Sequence, residues 1–270
     1  MDAKAHSTAD EVIRDSPEAA GALERFVSSP RPDARLAEIA DEAAADAELV
    51  VRAVQQAIHA EAVLSGRRWD PDDTSELIDY IQRRHHPFVR YELRQLDALL
   101  ATAGDPTRPS DPVQVLREAF HTVKAQIEDH MTAEEDVLFP WLLARQRGEA
   151  RHLVSVEADA YRQMKQEHDV VESFFARARR LTDGYSTPDH ASPAAIEAYR
   201  HLAALDADFR KHIWLENEFL WPGAADVEAP PDMAGICPRT GEPCPEGNPA
   251  TCGRFWGCVS AALARVQEPA

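Results

Sequence analysis

One pattern, present twice, limits what this chain can fold into more than any other feature. His130-Met131-Thr132-Ala133-Glu134 runs on to Leu138-Phe139-Pro140, and His212-Ile213-Trp214-Leu215-Glu216 runs on to Leu220-Trp221-Pro222. In both copies a His is followed by Glu at +4, Leu at +8, an aromatic at +9 and Pro at +10, and the copies lie 82 residues apart. The same shift of 82 carries His86 onto His168, so each half holds a solitary His and, 44 residues later, an HxxxE pair. This is an internal duplication.

Residues four apart on a helix project from one face, so each His–Glu pair can close on one metal ion. Imidazole with carboxylate suits iron, zinc or manganese. His86, His130, His168 and His212 with Glu134 and Glu216 supply donors for two such ions if facing helices bring them to one level, and the carboxylates are free to bridge. A single HxxxE is ordinarily a surface pair; its repetition with three matched spacings is what points to ligation.

Charge and length narrow the alternatives. The chain has 270 residues, with 47 acidic and 29 basic side chains, for a net charge of −18. That balance excludes a general nucleic-acid or anionic-membrane binder and favours cation capture. The opening Met1 to Glu11 carries acids and no apolar core of a leader, and no run reaches the roughly 18 to 20 apolar residues of a membrane span. A cytoplasmic protein is expected.

Read in order, residues 1–65 show a helical, acidic pattern broken at Ser28 to Pro32, as in a small helical domain. Residues 66–75 read as a linker, with Pro71 and a run of Asp and Thr. Residues 76–224 carry four long amphipathic helices with modest connections, which predicts an all-α, antiparallel four-helix bundle with the ligands at one level of its core. Along the first helix both His85 and His86 sit near the apolar stripe; the repeat selects His86. Pro87 next door predicts a kink.

Residues 225–270 form an irregular Pro- and Cys-rich segment holding Cys237, Cys244, Cys252 and Cys258, the only four cysteines, at spacings of 7, 8 and 6. Zinc, an iron-sulfur cluster, two disulfides and free thiols are all open for them.

The runs His85-His86-Pro87-Phe88-Val89-Arg90-Tyr91-Glu92-Leu93, His130 to Pro140, Glu167-His168-Asp169 and His212 to Asn217 resemble the hemerythrin-like proteins of the iron-sulfur cluster repair type. The similarity covers roughly Ser75 to Pro222. Thr8 to Ile13 and Ala22 to Phe26 are similar to that family's small N-terminal domain. The resemblance implies a non-heme di-iron site, with His86, His130, His168 and His212 as terminal ligands and Glu134 and Glu216 as bridges. It further implies chemistry on nitric oxide, dioxygen or peroxide under nitrosative or oxidative stress, or supply of iron to a damaged iron-sulfur protein. A binding or redox-sensing module without turnover is the alternative.

Two departures stand out. Where the family has paired cysteines after the phenylalanine, Phe26 is followed by Val27-Ser28-Ser29. Leu99 to Asp111 lacks the family's further His, for which Asp105 or water would substitute, giving a more symmetric pair of ions; His190 is the one loop imidazole that could otherwise reach inward. Glu128, Asp129, Glu135 and Asp169 are available to orient the ligand imidazoles. His6, His59, His121, His152 and His201 have no partner spacing and are expected to be structural or exposed.

Overall fold

The computed structural model describes residues 3–64, 69, 73–104, 111–149, 154–187 and 191–221. Within these the chain is all-α, as the periodicity predicts; the only β feature is an isolated antiparallel bridge between Thr8 and Arg35. The N-terminal helices are α1 (Ala9–Asp15), α2 (Ala19–Glu24), α3 (Leu36–Glu42) and α4 (Ala47–Leu64). The four long runs of the bundle follow. The first is α5 (Ser75–Tyr80), π1 (Ile81–His85) and α6 (His86–Ala103); the second is α7 (Pro112–Ala133), π2 (Glu134–Leu138) and α8 (Phe139–Gln146). The third is α9 (Val154–Leu181), and the fourth is α10 (Pro193–Leu215) with π3 (Glu216–Leu220). No described helix is long and apolar enough to cross a membrane.

The chain forms two compact units. The first comprises Met1–Trp69, Leu77–His121 and Arg177–His212. Its opening is set by a capping box at α1: the Glu11 N–H donates to Thr8 Oγ1 at 3.3 Å and the Thr8 N–H to Glu11 Oε2 at 2.9 Å. Both donors would otherwise be orphaned at the helix start. Val12, Ile13, Leu23, Leu36 and Ile39 then form a fully buried apolar cluster, which Phe88 and Tyr91 of α6 complete. A polar seam borders it. The Tyr91 hydroxyl donates to Asp10 Oδ1 at 3.2 Å, Arg200 Nη2 reaches the same oxygen at 3.2 Å, and His201 Nδ1 lies 2.6 Å from Glu92 Oε2. The Arg200 guanidinium donates to His201 Nε2 at 2.8 Å, which makes Nδ1 the proton-bearing nitrogen that faces Glu92. Burial nevertheless raises the Glu92 pKa, against the opposing pull of His201 and Arg200.

The second unit comprises Asp70–Glu76, Thr122–Ala176 and the chain from Ile213 onward. Ile127, Met131, Leu138, Phe139, Met164, Phe175 and Leu215 are buried there, and the indoles of Trp141 and Trp221 stack at 6.5 Å between centroids.

At Pro87, where a kink is expected, the preceding turn is widened. The His86 N–H donates to the Ile81 carbonyl, Phe139 to Glu134 and Trp221 to Glu216, each spanning five residues rather than four. In the sequence a proline follows each of these donors: Pro87, Pro140 and Pro222. In a regular helix the proline would have no N–H to give and its ring would strike the carbonyl four residues back. Widening the preceding turn by one residue moves that carbonyl aside, a π-bulge rather than a break.

Candidate metal centre

Within the second unit, His130, Glu134, His168 and Glu216 each turn one donor atom toward a common point, all within 4.8 Å of one another. They come from three helical runs: His130 at the end of α7 with Glu134 opening π2, His168 in mid-α9, and Glu216 opening π3. All four are buried, none more than 5% exposed. His168 Nε2 lies 3.1 Å from His130 Nε2 and 3.2 Å from Glu216 Oε2; His130 Nε2 lies 3.3 Å from Glu134 Oε1. Neighbouring donors held about 2.0–2.2 Å from one ion are separated by roughly 2.8–3.6 Å in octahedral or tetrahedral arrangement, so the set fits a first-row cation.

The far side of the His130 ring is also fixed. Its Nδ1 donates to Glu167 Oε2 at 2.9 Å, and Gln163 Nε2 donates to Glu167 Oε1 at 2.7 Å. A carboxylate on Nδ1 selects the tautomer whose lone pair is on Nε2, the atom facing Glu134 and His168. Burial by itself would depress the His130 pKa, but Glu134, Glu167 and Glu216 together outweigh it and hold it well above the ordinary histidine value. The pocket therefore attracts positive charge, and a metal ion would replace that proton.

In the first unit His86 and His212 are brought together, with ring centroids 5.1 Å apart and both rings buried. His85 is buried as well and stacks on His212 at 5.4 Å and 16°. Its Nδ1 lies 3.0 Å from Asp208 Oδ2, and Asp208 is also paired with Arg84. Burial first, then the positive charge of Arg84, keeps the His85 imidazole neutral, well below its usual pKa. The edge of Phe209 closes another side of His212 at 6.0 Å.

The orienting carboxylate was not among the four acids singled out by proximity. Glu128, Asp129 and Asp169 are exposed and Glu135 is half-buried. Glu167 does the work, from 37 residues away in sequence. Asp208 was likewise not marked by any motif. His6, His59 and His121 are exposed, whereas His201 is buried in the Glu92 contact. His152, His190, Asp105 and the four cysteines Cys237, Cys244, Cys252 and Cys258 lie outside the described residues.

Comparison with known proteins places the converging donors within a recognised domain. Residues 76–220 match the hemerythrin HHE cation binding domain. The iron-sulfur cluster repair protein ScdA of Staphylococcus haemolyticus is 27% identical over 150 residues, which cover 55% of this chain and 66% of that protein. The iron-sulfur cluster repair protein YtfE of Escherichia coli O81 is 28% identical over 159 residues, 58% of this chain and 68% of that relative. YtfE of Escherichia fergusonii matches to the same extent, 28% over 159 residues. With more than half of its length matched by the family's own pattern, and with the buried His and Glu donors in place, the chain belongs to the hemerythrin HHE cation-binding family.

Proposed function

We propose that this chain is a non-heme di-iron protein of the iron-sulfur cluster repair type, acting in nitrosative or oxidative stress. The observation that carries the reading is the convergence of His130, Glu134, His168 and Glu216 on one buried point. In it these four would hold one iron and His86 with His212 the second, Glu134 and Glu216 being shared between the two. The repeat supports the second half: Glu216 follows His212 by one helical turn, as Glu134 follows His130. Its working place is the cytoplasm, in keeping with 236 residues before the first cysteine.

Bound iron would supply an open coordination position and a redox couple for nitric oxide, dioxygen or peroxide. The chain's own part is to shape that position. Glu167, held by Gln163, keeps the His130 ring in register with its lone pair inward. Burial of all four donors keeps bulk water from competing and strengthens every charge interaction inside. With no imidazole from Leu99 to Asp111, each iron would have the same protein donors, two His and two Glu, with room left for a small ligand.

The names of the matched relatives support cluster repair as the setting; within it, the reading has two routes, nitric oxide removal and iron supply to a damaged iron-sulfur protein. Anaerobic titration of the reduced, iron-loaded protein with nitric oxide tests it. Consumption beyond stoichiometry supports turnover, and transfer of iron to an apo-ferredoxin supports donation. A stable stoichiometric adduct with neither activity would replace both by the binding or sensing module. Mössbauer spectra of iron-grown protein should show a coupled iron pair, and would also reveal any cluster on Cys237, Cys244, Cys252 and Cys258. Mononuclear iron alone would sink the di-iron assignment.

A further inference from the structure

Helix α2 meets π1 at Gly21. A Cβ placed there would collide with the Arg83 carbonyl oxygen, lie 3.1 Å from the Arg83 carbonyl carbon and 3.4 Å from Pro87 Cγ. The obstacle is backbone, which cannot swing aside as a flexible side chain does. Arg83 and Pro87 bracket His86, three residues before it and one after. In a regular helix the Arg83 carbonyl would accept from residue 87, but Pro87 has no N–H. The widened turn and the bare glycine therefore meet at one place.

The same N-terminal helices also hold the chain just after His86. Phe88 and Tyr91 are buried in the N-terminal apolar cluster, 2% and 1% exposed. Asp10 of α1 takes hydrogen bonds from Tyr91 and Arg200. This opening segment contains no cysteine, so it has no thiol chemistry of its own to perform.

We propose that the N-terminal helices are a clamp on His86, with Gly21 the positioning residue whose missing side chain lets α2 seat on the π1 backbone. The proposal rests on His86 being a metal ligand, as read above. Enlarging Gly21 displaces π1 and loosens the metal held through His86, while the ion held by His130, Glu134, His168 and Glu216 stays in place. His86 is the residue through which Gly21 acts.

Cobalt(II) titration of the full-length protein, followed by its d–d absorption, tests the clamp. Wild type should take up two ions. Gly21→Ala should weaken one of the two steps by at least about tenfold, the scale seen when a ligand loses its support. His86→Gln should weaken the same step, and Gly21→Ala should add nothing further in that background, as expected for residues acting as one unit. Val113→Ala, a buried change at the start of α7 outside the N-terminal apolar cluster, should lower the urea midpoint without moving either step. Should Gly21→Ala fail to fold by circular dichroism, Asp10→Asn decides, since it relaxes the grip on α6 without adding bulk; it should shift the same step. If His86→Gln weakens a step while Gly21→Ala, once folded, does not, or if the two effects add in full, the clamp is overturned and the ligand assignment stands. If His86→Gln binds both ions as tightly as wild type, the ligand assignment fails and takes the clamp with it.

Discussion

Glu167 carries the most consequence of any side chain outside the donor set. It is not one of the four converging donors, yet its hydrogen bond to Nδ1 fixes which nitrogen of His130 faces inward. Glu167→Ala should reduce metal affinity about 10- to 100-fold while leaving helical content unchanged, read by competition with a chromogenic chelator. His85 offers a second test at this scale. Its folded-state pKa is depressed, so its contribution to stability is present above the unfolded-state value of about 6.5 and is lost as pH falls below it, with a limiting slope of about 1.4 kcal/mol per pH unit. His130 runs the other way in the metal-free protein: its raised pKa stabilises at low pH, and that contribution is lost as pH rises through the folded-state value. The difference between wild type and His85→Gln isolates the first effect. Urea midpoints of the metal-free proteins should converge as pH drops from 7.5 to 5.5, and parallel midpoints would show that His85 is not the titrating group.

At the scale of elements, the long helices and their inward faces were legible from apolar spacing; of the four residues gathered in the second unit, the duplicated HxxxE pattern marked His130, Glu134 and Glu216, and the 82-residue shift from His86 marked His168. The π-turns were not legible. A one-residue phase slip of about 100° is hidden inside apolar stripes that are themselves at least that wide, so Pro87 could only suggest a kink. Glu167 escaped for a different reason: a contact between helices, 37 residues apart, obeys no period. Whether the proline or the packing holds a π-turn open can be decided by magnitudes. Reverting π2 to a regular helix would gain one hydrogen bond, about 0.5–1.5 kcal/mol. It would also rotate Trp141 and Leu142, 2% and 4% exposed, away from the core, at roughly 1.5–3 kcal/mol for each side chain. Packing wins. Pro140→Ala, at an exposed position, should therefore leave metal affinity and thermal midpoint nearly unchanged; a lost metal step would show that the proline itself maintains the turn.

For the whole molecule, a buried centre lined with carboxylates makes folding and cation binding one equilibrium. Metal at about 100 times its dissociation constant should stabilise the fold by about 2.7 kcal/mol per site, visible as a higher urea midpoint that a chelator abolishes. An excess of 18 negative charges adds to the pull on cations from a distance, an effect that salt will weaken. The N-terminal helices contribute by contact rather than by chemistry, sharing one apolar cluster with Phe88 and Tyr91.

Asp136 lies on the solvent side of π2, carries no assigned role and would pass for expendable. Yet the turn contains one residue more than a regular helix needs, and all that follows is indexed to that surplus. Excising Asp136 would shorten the rod by a single step and swing Phe139, Trp141 and Leu142 around the axis together, exchanging an oily flank for a wet one. Replacing it, by contrast, alters only a surface carboxylate: at this place the identity of the letter is dispensable and the count is not.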